Sequence, residues 1–381
     1  MQVVSKRSKV IKSFVKDHIA FRNEAAMTKL ISIIIPIYNV APYLGECLAS
    51  LLDQTYQDWE AVCVDDGSVD GSGRILDEFA MRDKRFKVIH QENVGVSEAR
   101  NVGIRMAKGE WIGFIDPDDV VAPQWLKIAN EEMGAGVDAV RLDATIWRDG
   151  TPRPIVSGPS STMVIRGRDA VLAWGWRIMT KSGWSWATFV RKSILLGLSP
   201  NFFPRGVRYS EDSIFGLSYI YKVSTVARID FKGYFYRMRP ASACGARRSV
   251  PERIAFYDAY QELLQQNSLC GISQNVFREL DKLALSFAWA NLVIWAIRPE
   301  DIERVSQLRH RFRNLLRHQK WRLIDLPLHW RGAAWLFLNL GLVYPINISM
   351  CVIRTLTYMN NCQVSRLIRK CIARLFALGR E

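Results

Sequence analysis

The sequence predicts an α/β fold, in which a doubly wound and mainly parallel sheet is followed by a basic, helical C-terminal extension. Apolar runs typical of strands alternate with helical patterns between residues 30 and 125. The runs are apolar at almost every position, which is typical of strands buried on both faces, as in parallel sheets. Polar residues follow each run, at the edge where open α/β sheets bind ligands. We therefore expect a ligand crevice along that edge.

Four strands and three helices account for the first third of the chain. The first strand, ISIIIPI, runs from Ile31 to Ile37 and is followed by Tyr38 and Asn39. The next predicted elements are a helix at 42–53, a strand at Trp59–Val64, a helix to about Met81, a strand at Phe86–His90 and a helix at 96–109 with Gly109 at its C-cap position. The fourth strand begins at Trp111 in WIGFIDPDDVV.

The fourth strand ends in a cluster of carboxylates, Asp116, Asp118 and Asp119. Three carboxylates this close repel one another, and a divalent cation bridging to a diphosphate would relieve that repulsion. Hard oxygen ligands suit Mg²⁺ or Mn²⁺. For this motif taken alone, a solvated acidic turn remains the simpler explanation.

Similar polar sets follow all four strands. They are Pro36/Tyr38/Asn39, Asp65/Asp66, Asn93/Gly95 and Asp116/Asp118/Asp119. Each set alone is explained by turn chemistry, because Asn, Asp and Gly favour turns. Four sets in register favour a nucleotide-type site. No GxGxxG follows the first strand, which disfavours a dinucleotide fold, and no GxxxxGK[ST] is present, which excludes a P-loop.

Composition narrows the classes of partner and site. The chain has 381 residues and a formal net charge of +15, which implies an anionic partner: nucleic acid, an acidic membrane surface or a phosphorylated substrate. Its seven cysteines are scattered with no CxxC pair, which argues against a zinc site and a disulfide framework. Residues 1–26 are basic and lack the apolar core of a signal peptide. They are a frayed or helical extension, a membrane-touching helix, or a segment before a true start at Met27.

The four runs ISIIIPIYN, VDDGSVDGS, NVGVSEARNVGI and FIDPDD, in this order and spacing, resemble the family 2 inverting glycosyltransferases of the GT-A fold, of the bacterial surface-polysaccharide type. The resemblance is close from Ile31 to Trp125 and looser to about residue 240. It implies a Rossmann-like nucleotide half followed by an acceptor half. We accordingly expect a basic extension at 1–26, a GT-A catalytic domain at 27–245 and a helical region at 246–381.

The resemblance also implies which residues hold a nucleotide-diphospho-sugar. Those implied for the donor nucleotide are Pro36, Tyr38, Asn39, Asp65, Asp66, Asn93, Arg100, Asn101 and Asp116. Either Asp65 or Asp66 would take the base edge, and Asp116 would lie near the ribose. A divalent cation, Mn²⁺ or Mg²⁺, would bind Asp118 or Asp119. Pro117 departs mildly from the family, which more often has a small residue there; it stiffens the turn and removes no carboxylate.

The acceptor half is predicted to contain a strand at Asp138–Trp147, an exposed loop at 150–162 and a helix at Asp169–Met179. The resemblance places Trp184 and Trp186 beside the acceptor, although both tryptophans would equally suit a core. It makes Asp212 the general base that deprotonates the acceptor hydroxyl, with Glu211 orienting it. Helix capping is the alternative for these two acids, because an apolar helix follows them.

Two basic regions complete the chain. Arg237, Arg239 and Ser242 would reach the diphosphate, or else belong to a solvated basic strand and loop. From Pro251 the pattern is helical, with arginines crowded between residues 304 and 322 and no charge from Gly332 to Ile353. That uncharged span is long enough to cross a membrane, but its Asn, Ser and Pro residues favour helices lying in the membrane interface. A helical addition packed on the catalytic domain is the alternative.

The leading hypothesis is a glycosyltransferase that moves a sugar from a nucleotide-diphospho-sugar, with UDP-sugar as first candidate, to a growing glycan or lipid-linked acceptor. We expect it to be cytoplasmic and peripheral on the inner face of the cell membrane, with an anionic membrane surface as a partner. An inactive glycosyltransferase-like scaffold is the first alternative. A basic nucleic-acid-binding protein is the second, but no RNP-type or zinc motif supports it, so no nucleic acid partner is expected.

Overall fold

The computed structural model describes residues 29–168, 170–171, 185–197, 202–207, 211–220 and 222–239. Its elements, in chain order, are β1 (Ile31–Ile37), α1 (Ala41–Leu52), β2 (Trp59–Asp66), α2 (Ser72–Arg82), β3 (Phe86–Gln91), α3 (Val96–Met106), β4 (Trp111–Phe114), β5 (Val120–Val121), α4 (Trp125–Glu132), β6 (Ala139–Arg148), β7 (Thr162–Arg166), β8 (Thr188–Arg191), α5 (Lys192–Leu196), α6 (Glu211–Ile220) and β9 (Thr225–Met238). The N-terminal extension, Trp184, Ser242, most of the helix expected at Asp169–Met179 and the C-terminal region from 246 lie outside the described residues.

The first four strands form the parallel half of the sheet, in the order β3-β2-β1-β4. Every residue of β1 and β2 is buried, as the uninterrupted apolar pattern predicts. The helices α1, α2 and α3 connect these strands, and because the strands are parallel their carboxyl ends meet at one edge. The predicted doubly wound α/β arrangement is confirmed, and its ligand edge is where the polar sets lie.

The second half of the sheet is mixed. β8 pairs antiparallel with β4 and with β6, and β6 pairs parallel with β9. β9 then pairs antiparallel with β5 and with β7. Since β5 directly follows the acidic turn at the end of β4, its pairing with β9 brings β9 next to that turn. The long strand β9 therefore decides how the turn is held.

The role expected for Gly109 is wrong. Helix α3 ends at Met106, and Ala107 occupies the C-cap in an extended conformation. Gly109 instead lies against β1, where a Cβ would approach the Leu30 carbonyl oxygen to 2.6 Å and the Ser32 nitrogen to 2.7 Å. The glycine is required by the close passage of the chain into β4. Its requirement comes from packing, which the local sequence pattern does not reveal.

Large aromatic side chains fill the core beneath the second half of the sheet. Trp125, on α4, packs against Phe189 and Tyr234 with ring centroids 4.7 and 5.9 Å apart. Phe203 stacks on Phe215 of α6 at 4.0 Å, and both contact Phe114 of β4 edge-on. These contacts fix α6 against the end of β4. Within the described part of the chain, no helix is long and apolar enough to cross a lipid bilayer.

Candidate active site

The ends of β1 and β2 open into a cleft of about 920 Å³. Its lining combines strand ends, the loop before α3, the first turn of α3 and a short segment from the second half of the chain. The lining residues are Pro36, Ile37, Tyr38, Asp66, Asn93, Val94, Gly95, Val96, Ser97, Glu98, Ala99, Arg205, Gly206 and Val207. Four of the residues expected to bind a donor, Pro36, Tyr38, Asp66 and Asn93, are therefore together in one wall.

Asp66 shapes this wall by binding the loop before α3. Its Oδ1 accepts hydrogen bonds from the Val94 backbone at 3.0 Å and the Gln91 side chain at 2.7 Å. Its Oδ2 accepts from the Gly95 backbone at 2.8 Å, and Gly95 has φ of 100°, which favours glycine. Asp66 therefore positions the loop while it lines the cleft, and its role at a base edge stays a prediction.

Asp65 and Asn39 organise the neighbouring loop after β2. Asp65 Oδ1 accepts from the Ser68 backbone at 3.0 Å, and Oδ2 lies 2.9 Å from His90 Nδ1. Asn39, at φ 49°, accepts from the Val69 backbone at 2.9 Å. Neither lines the cleft. Tyr38 does, and its side chain is half exposed at 52%.

The acidic turn at the end of β4 divides its carboxylates between two environments. Asp119 is fully buried; its Oδ2 accepts from the Tyr234 hydroxyl at 2.7 Å and its Oδ1 from the Arg237 backbone at 2.8 Å. Burial, with the charges of Asp116 and Asp118, raises the pKa of Asp119 well above its usual value. Full burial and the two hydrogen bonds that hold the turn against β9 disfavour Asp119 as a metal ligand, and that assignment stays a prediction.

Asp118 is the carboxylate of the turn that suits a cation. Its side chain is 17% exposed, and its Oδ2 accepts from Arg239 Nε at 2.6 Å. No group of three acidic, histidine or cysteine side chains among residues 29–239 that the structure describes is arranged to hold a metal alone. A cation here would therefore need further oxygen ligands from a bound diphosphate, which is how Mg²⁺ sites with one or two protein carboxylates are usually completed. Asp118 fits a cation that is shared with a donor.

Arg237 binds other residues of the protein, which disfavours the diphosphate role expected for it; that role stays a prediction. Its side chain is 4% exposed and donates to the Asp118 carbonyl, to Asp149 and to Glu46. Its guanidinium also lies 4.1 Å from the Trp147 ring centroid. All three guanidinium nitrogens are occupied, so Arg237 is an anchor of the turn. Arg239, 24% exposed, is the arginine of this pair that faces the site.

Arg100 joins the two halves of the site. Its Nη2 lies 3.0 Å from Asp116 Oδ1, and its Nη1 lies 2.8 Å from Glu211 Oε1. The side chain is only 6% exposed and binds these two carboxylates, so it is not directed at the cleft, and its role in holding the nucleotide stays a prediction. Asn101, fully buried, exchanges two hydrogen bonds with the Phe203 backbone at 2.7 and 3.0 Å. Asn101 thus anchors the segment 202–207, and the expectation that it helps to hold the nucleotide stays a prediction.

Asp212 lies in the first turn of α6 beside Glu211. Burial, and next the charge of Glu211, raise the pKa of Asp212 to about 6, against the lowering effect of Arg100. Asp212 Oδ1 also accepts from the Ser213 backbone at 2.8 Å. Both acids thus occupy the helix start, as the capping alternative requires, but Asp212 additionally has the pKa of a carboxylate that exchanges protons near neutrality.

Trp186 lies on an aromatic stack next to the acidic turn. It stacks on Tyr234 at 5.1 Å and on Tyr236 at 5.5 Å, with interplanar angles of 26° and 23°. It packs on the core while remaining partly exposed. The core alternative therefore applies to Trp186, whereas its place beside an acceptor stays a prediction.

Sequence reasoning missed Tyr234 and Arg205. Tyr234 accepts from the Asp116 backbone at 3.1 Å while donating to Asp119, so it links two positions of the turn. The signal for it was present, because Tyr234 and Tyr236 alternate along a predicted strand and so share a face. Arg205 had no such signal, because it lies in an irregular segment.

Comparisons with known proteins indicate a family and a fold for this chain. The model of the family described as glycosyl transferase family 2 matches residues 32–189. The Bacillus subtilis protein named uncharacterized glycosyltransferase EpsJ is 33% identical over 256 residues, and the match covers 61% of this chain and 71% of EpsJ. Glycosyltransferase GlyG of Streptococcus pneumoniae serotype 4 is 47% identical over 108 residues, which cover 28% of this chain and 36% of GlyG. The crystal structure of S. aureus TarS 1–349 in complex with UDP-GlcNAc is similar in fold, with a TM-score of 0.58 and 20% identity over 84% of this chain and 88% of that one.

Proposed function

Because the chain belongs to glycosyltransferase family 2, we propose that it transfers a sugar from a nucleotide-diphospho-sugar to a hydroxyl of a growing glycan or lipid-linked acceptor, with inversion. The observation that carries this proposal is a continuous arrangement along one sheet edge. The cleft at the ends of β1 and β2 continues the edge occupied by the acidic turn after β4, and Arg100 connects that turn to Glu211 beside Asp212. A UDP-sugar is the first donor to test, since the structurally similar TarS has been crystallised with UDP-GlcNAc.

In this proposal the nucleoside lies in the cleft between Tyr38 and the loop at Asn93, and the diphosphate points towards Asp118 and Arg239. Arg239 is the partly exposed cation nearest that carboxylate, so it neutralises charge on the departing nucleoside diphosphate. A Mg²⁺ or Mn²⁺ ion shared by Asp118 and the diphosphate would supply further charge neutralisation for the leaving group.

The reaction needs one base. Asp212 accepts the proton of the acceptor hydroxyl as its oxygen attacks the anomeric carbon, and the bond from that carbon to the diphosphate oxygen breaks. The electron pair of the broken bond leaves on the nucleoside diphosphate. A carboxylate whose pKa is about 6 is largely ionised at neutral pH and still basic enough to take the proton. Glu211, fixed by Arg100, keeps Asp212 in a negative environment that maintains this basicity.

We place the acceptor sugar against Trp186. Trp186 is partly exposed and belongs to an aromatic cluster with Tyr234 and Tyr236, next to the residues that hold the acidic turn. The apolar face of a sugar ring suits an aromatic surface. We include Trp184 in the acceptor site on the basis of the sequence resemblance alone, because it lies outside the described residues.

We also propose that the enzyme works at the cytoplasmic face of the cell membrane. The basis is the sequence of the C-terminal region, with arginines crowded between residues 304 and 322 and a basic amphipathic run near the C-terminus. A peripheral position would keep the active site close to lipid-linked acceptors.

The decisive experiment measures binding and turnover separately. Thermal stabilisation by a panel of nucleoside diphosphates should identify the base, and release of nucleoside diphosphate from the matching sugar donor with Mn²⁺ should reveal catalysis. A chain that binds the nucleotide but releases none with any acceptor extract would be an inactive scaffold. A chain that binds none of the nucleotides would contradict the donor site itself.

A further inference from the structure

The cleft carries one basic side chain among the lining residues, and it comes from the second half of the chain. The charged lining residues are Asp66, Glu98 and Arg205. Asp66 has both oxygens committed to the loop before α3. Arg205 therefore supplies the cation with which this wall of the cleft can meet an anionic or oxygen-rich ligand.

Arg205 is held in place although its side chain is 64% exposed. Its Nε and Nη2 lie 2.9 and 3.3 Å from the two oxygens of Glu98. Hydrogen bonds from Arg105 and Arg205 lower the pKa of Glu98, against the opposing effect of its burial, so the pairing partner stays ionised. Two residues earlier, the backbone of Phe203 is fixed by Asn101. An exposed arginine that is tethered at its guanidinium, in a segment anchored two residues earlier, loses less freedom when a ligand binds than an untethered arginine would.

One edge of the guanidinium remains available. Among the described residues Nη1 of Arg205 has no hydrogen-bond partner, whereas Nε and Nη2 face Glu98. A guanidinium only donates hydrogen bonds, so its ligand must present acceptor atoms. Arg205 lies in the wall formed with Asn93 and the start of α3, and Asp118 and Arg239 are not in that lining. The acceptors it meets therefore belong to the nucleoside end of a donor, not to the diphosphate.

We propose that Arg205 is a donor-binding residue that donates from Nη1 to oxygen acceptors of the nucleoside, with Glu98 as the residue that positions it. This inference rests on the proposed function and adds a residue from the irregular segment 202–207 to the donor site. It also gives Glu98 a role beyond the surface of α3, since the same carboxylate orients the arginine that reads the ligand.

Arg105 provides a matched control. It pairs with the same Glu98 carboxylate at 2.7 Å and is 40% exposed, but it does not line the cleft. If Arg205 matters only as a surface ion pair, Arg105→Gln and Arg205→Gln should behave alike. If Arg205 contacts the nucleoside, only Arg205→Gln should weaken binding.

The test uses the full chain and calorimetry with UDP and uridine, or with whichever pair of nucleoside diphosphate and nucleoside the wild type binds most tightly. We expect Arg205→Gln to weaken both ligands by a similar factor of about tenfold, as for a lost hydrogen bond to a charged donor. Arg105→Gln should stay within about twofold. Glu98→Gln should weaken both ligands in the same direction as Arg205→Gln, because the arginine loses its tether.

Two outcomes would overturn this inference, and a third would refute the proposed function on which it rests. Equal affinities for Arg205→Gln and Arg105→Gln would overturn it. A loss for the diphosphate with none for the nucleoside would also overturn it, because Arg205 would then act on the phosphates through its charge. Absence of binding by the wild type would refute the proposed function instead. Unchanged thermal unfolding of Arg205→Gln, or recovery of affinity in Arg205→Lys, would exclude misfolding as the cause of a loss.

Discussion

At the scale of single residues, the assignment of the general base rests on Asp212. Its burial and its neighbour Glu211 raise its pKa to about 6, and Glu211 is itself paired with Arg100. Replacing Asp212 with Asn keeps the shape but removes the ability to accept a proton. We expect Asp212→Asn to retain nucleotide affinity and to lower the turnover number by about 10²–10⁴-fold. Normal transfer by this variant, with an inactive Glu211→Gln, would exchange the two roles.

The same pKa predicts how activity depends on pH. Asp212 acts as a base only when ionised, so turnover should be low below pH 6 and should rise with pH through about 6 to a plateau. Replacing Glu211 with Gln removes the like charge that helps to raise this pKa, so the rise should shift to lower pH. Initial rates with saturating donor, measured from pH 5 to 8, test both statements. A profile that is flat across this range would contradict the assignment.

Asp118 and Asp119 are adjacent but should respond differently to substitution. Asp118 is partly exposed and faces Arg239, whereas Asp119 is buried with both oxygens bonded. In the presence of UDP, Asp118→Asn should weaken Mn²⁺ binding at least tenfold, measured by electron paramagnetic resonance. Asp119→Asn should change Mn²⁺ affinity little but lower the stability by about 1–3 kcal/mol, because the amide cannot accept from both Tyr234 and Arg237. A loss of Mn²⁺ affinity in Asp119→Asn, with none in Asp118→Asn, would identify Asp119 as the metal ligand.

At the scale of elements, strand β9 holds the acidic turn. Arg237 ties the Asp118 carbonyl, Asp149 and Glu46 together while 4% exposed. Arg237→Met should therefore cost about 3 kcal/mol, since it removes a buried charge from three acceptors. Arg153→Met is the control, because Arg153 pairs with the same Glu46 but is 44% exposed, and it should cost less than about 1 kcal/mol. Denaturant unfolding of both variants tests the difference, and equal losses would refute the anchoring role.

The elements also explain how far the sequence alone could lead. Strand patterns predicted that the carboxyl ends of β1, β2 and β4 meet at one edge, so the strand-end part of the cleft wall could be predicted, whereas the segment that contributes Arg205 could not. The direction of each side chain in the acidic turn could not, because it depends on Tyr234 and Arg237, more than 110 positions later. The contact of Asn101 could not be predicted for the same reason, since its partner Phe203 is 102 positions away. Local pattern identifies strand ends, whereas long-range contacts decide which polar groups there remain available.

At the scale of the whole molecule, the positive charge needs an explanation that the cleft does not provide. Within the cleft lining, two acidic residues accompany one arginine. Much of the excess charge instead lies in the C-terminal sequence, outside the described residues, where the Lys and Arg positions from residue 304 onward are Arg304, Arg309, Arg311, Arg313, Arg317, Lys320, Arg322, Arg331, Arg354, Arg366, Arg369, Lys370, Arg374 and Arg380. A concentration of this kind favours a second anionic partner besides the donor.

The last prediction concerns that partner. In RLIRKCIARLFALGR the apolar residues recur at helical spacing, and arginines with Lys370 occupy the remaining positions, as in helices that bind membrane surfaces. Each basic residue near an anionic leaflet contributes about 1 kcal/mol, so several together are enough for reversible binding. We expect the full chain to co-sediment with vesicles containing anionic lipid, and not with neutral vesicles. Replacing Arg366, Arg369, Lys370 and Arg374 with Gln should weaken this binding strongly without changing nucleotide affinity.

Extraction from membranes distinguishes a chain that docks on the surface from one that spans the bilayer. A docked chain should leave cell membranes in high salt or alkaline carbonate, because its attachment is electrostatic and shallow. A chain that crosses the bilayer through the uncharged span Gly332–Ile353 should resist both treatments. Resistance, together with a C-terminal tag accessible only from the outer side of that membrane, would replace docking by a transmembrane helix. Retention on DNA stronger than on anionic vesicles at equal salt would instead identify nucleic acid as the partner of the basic region.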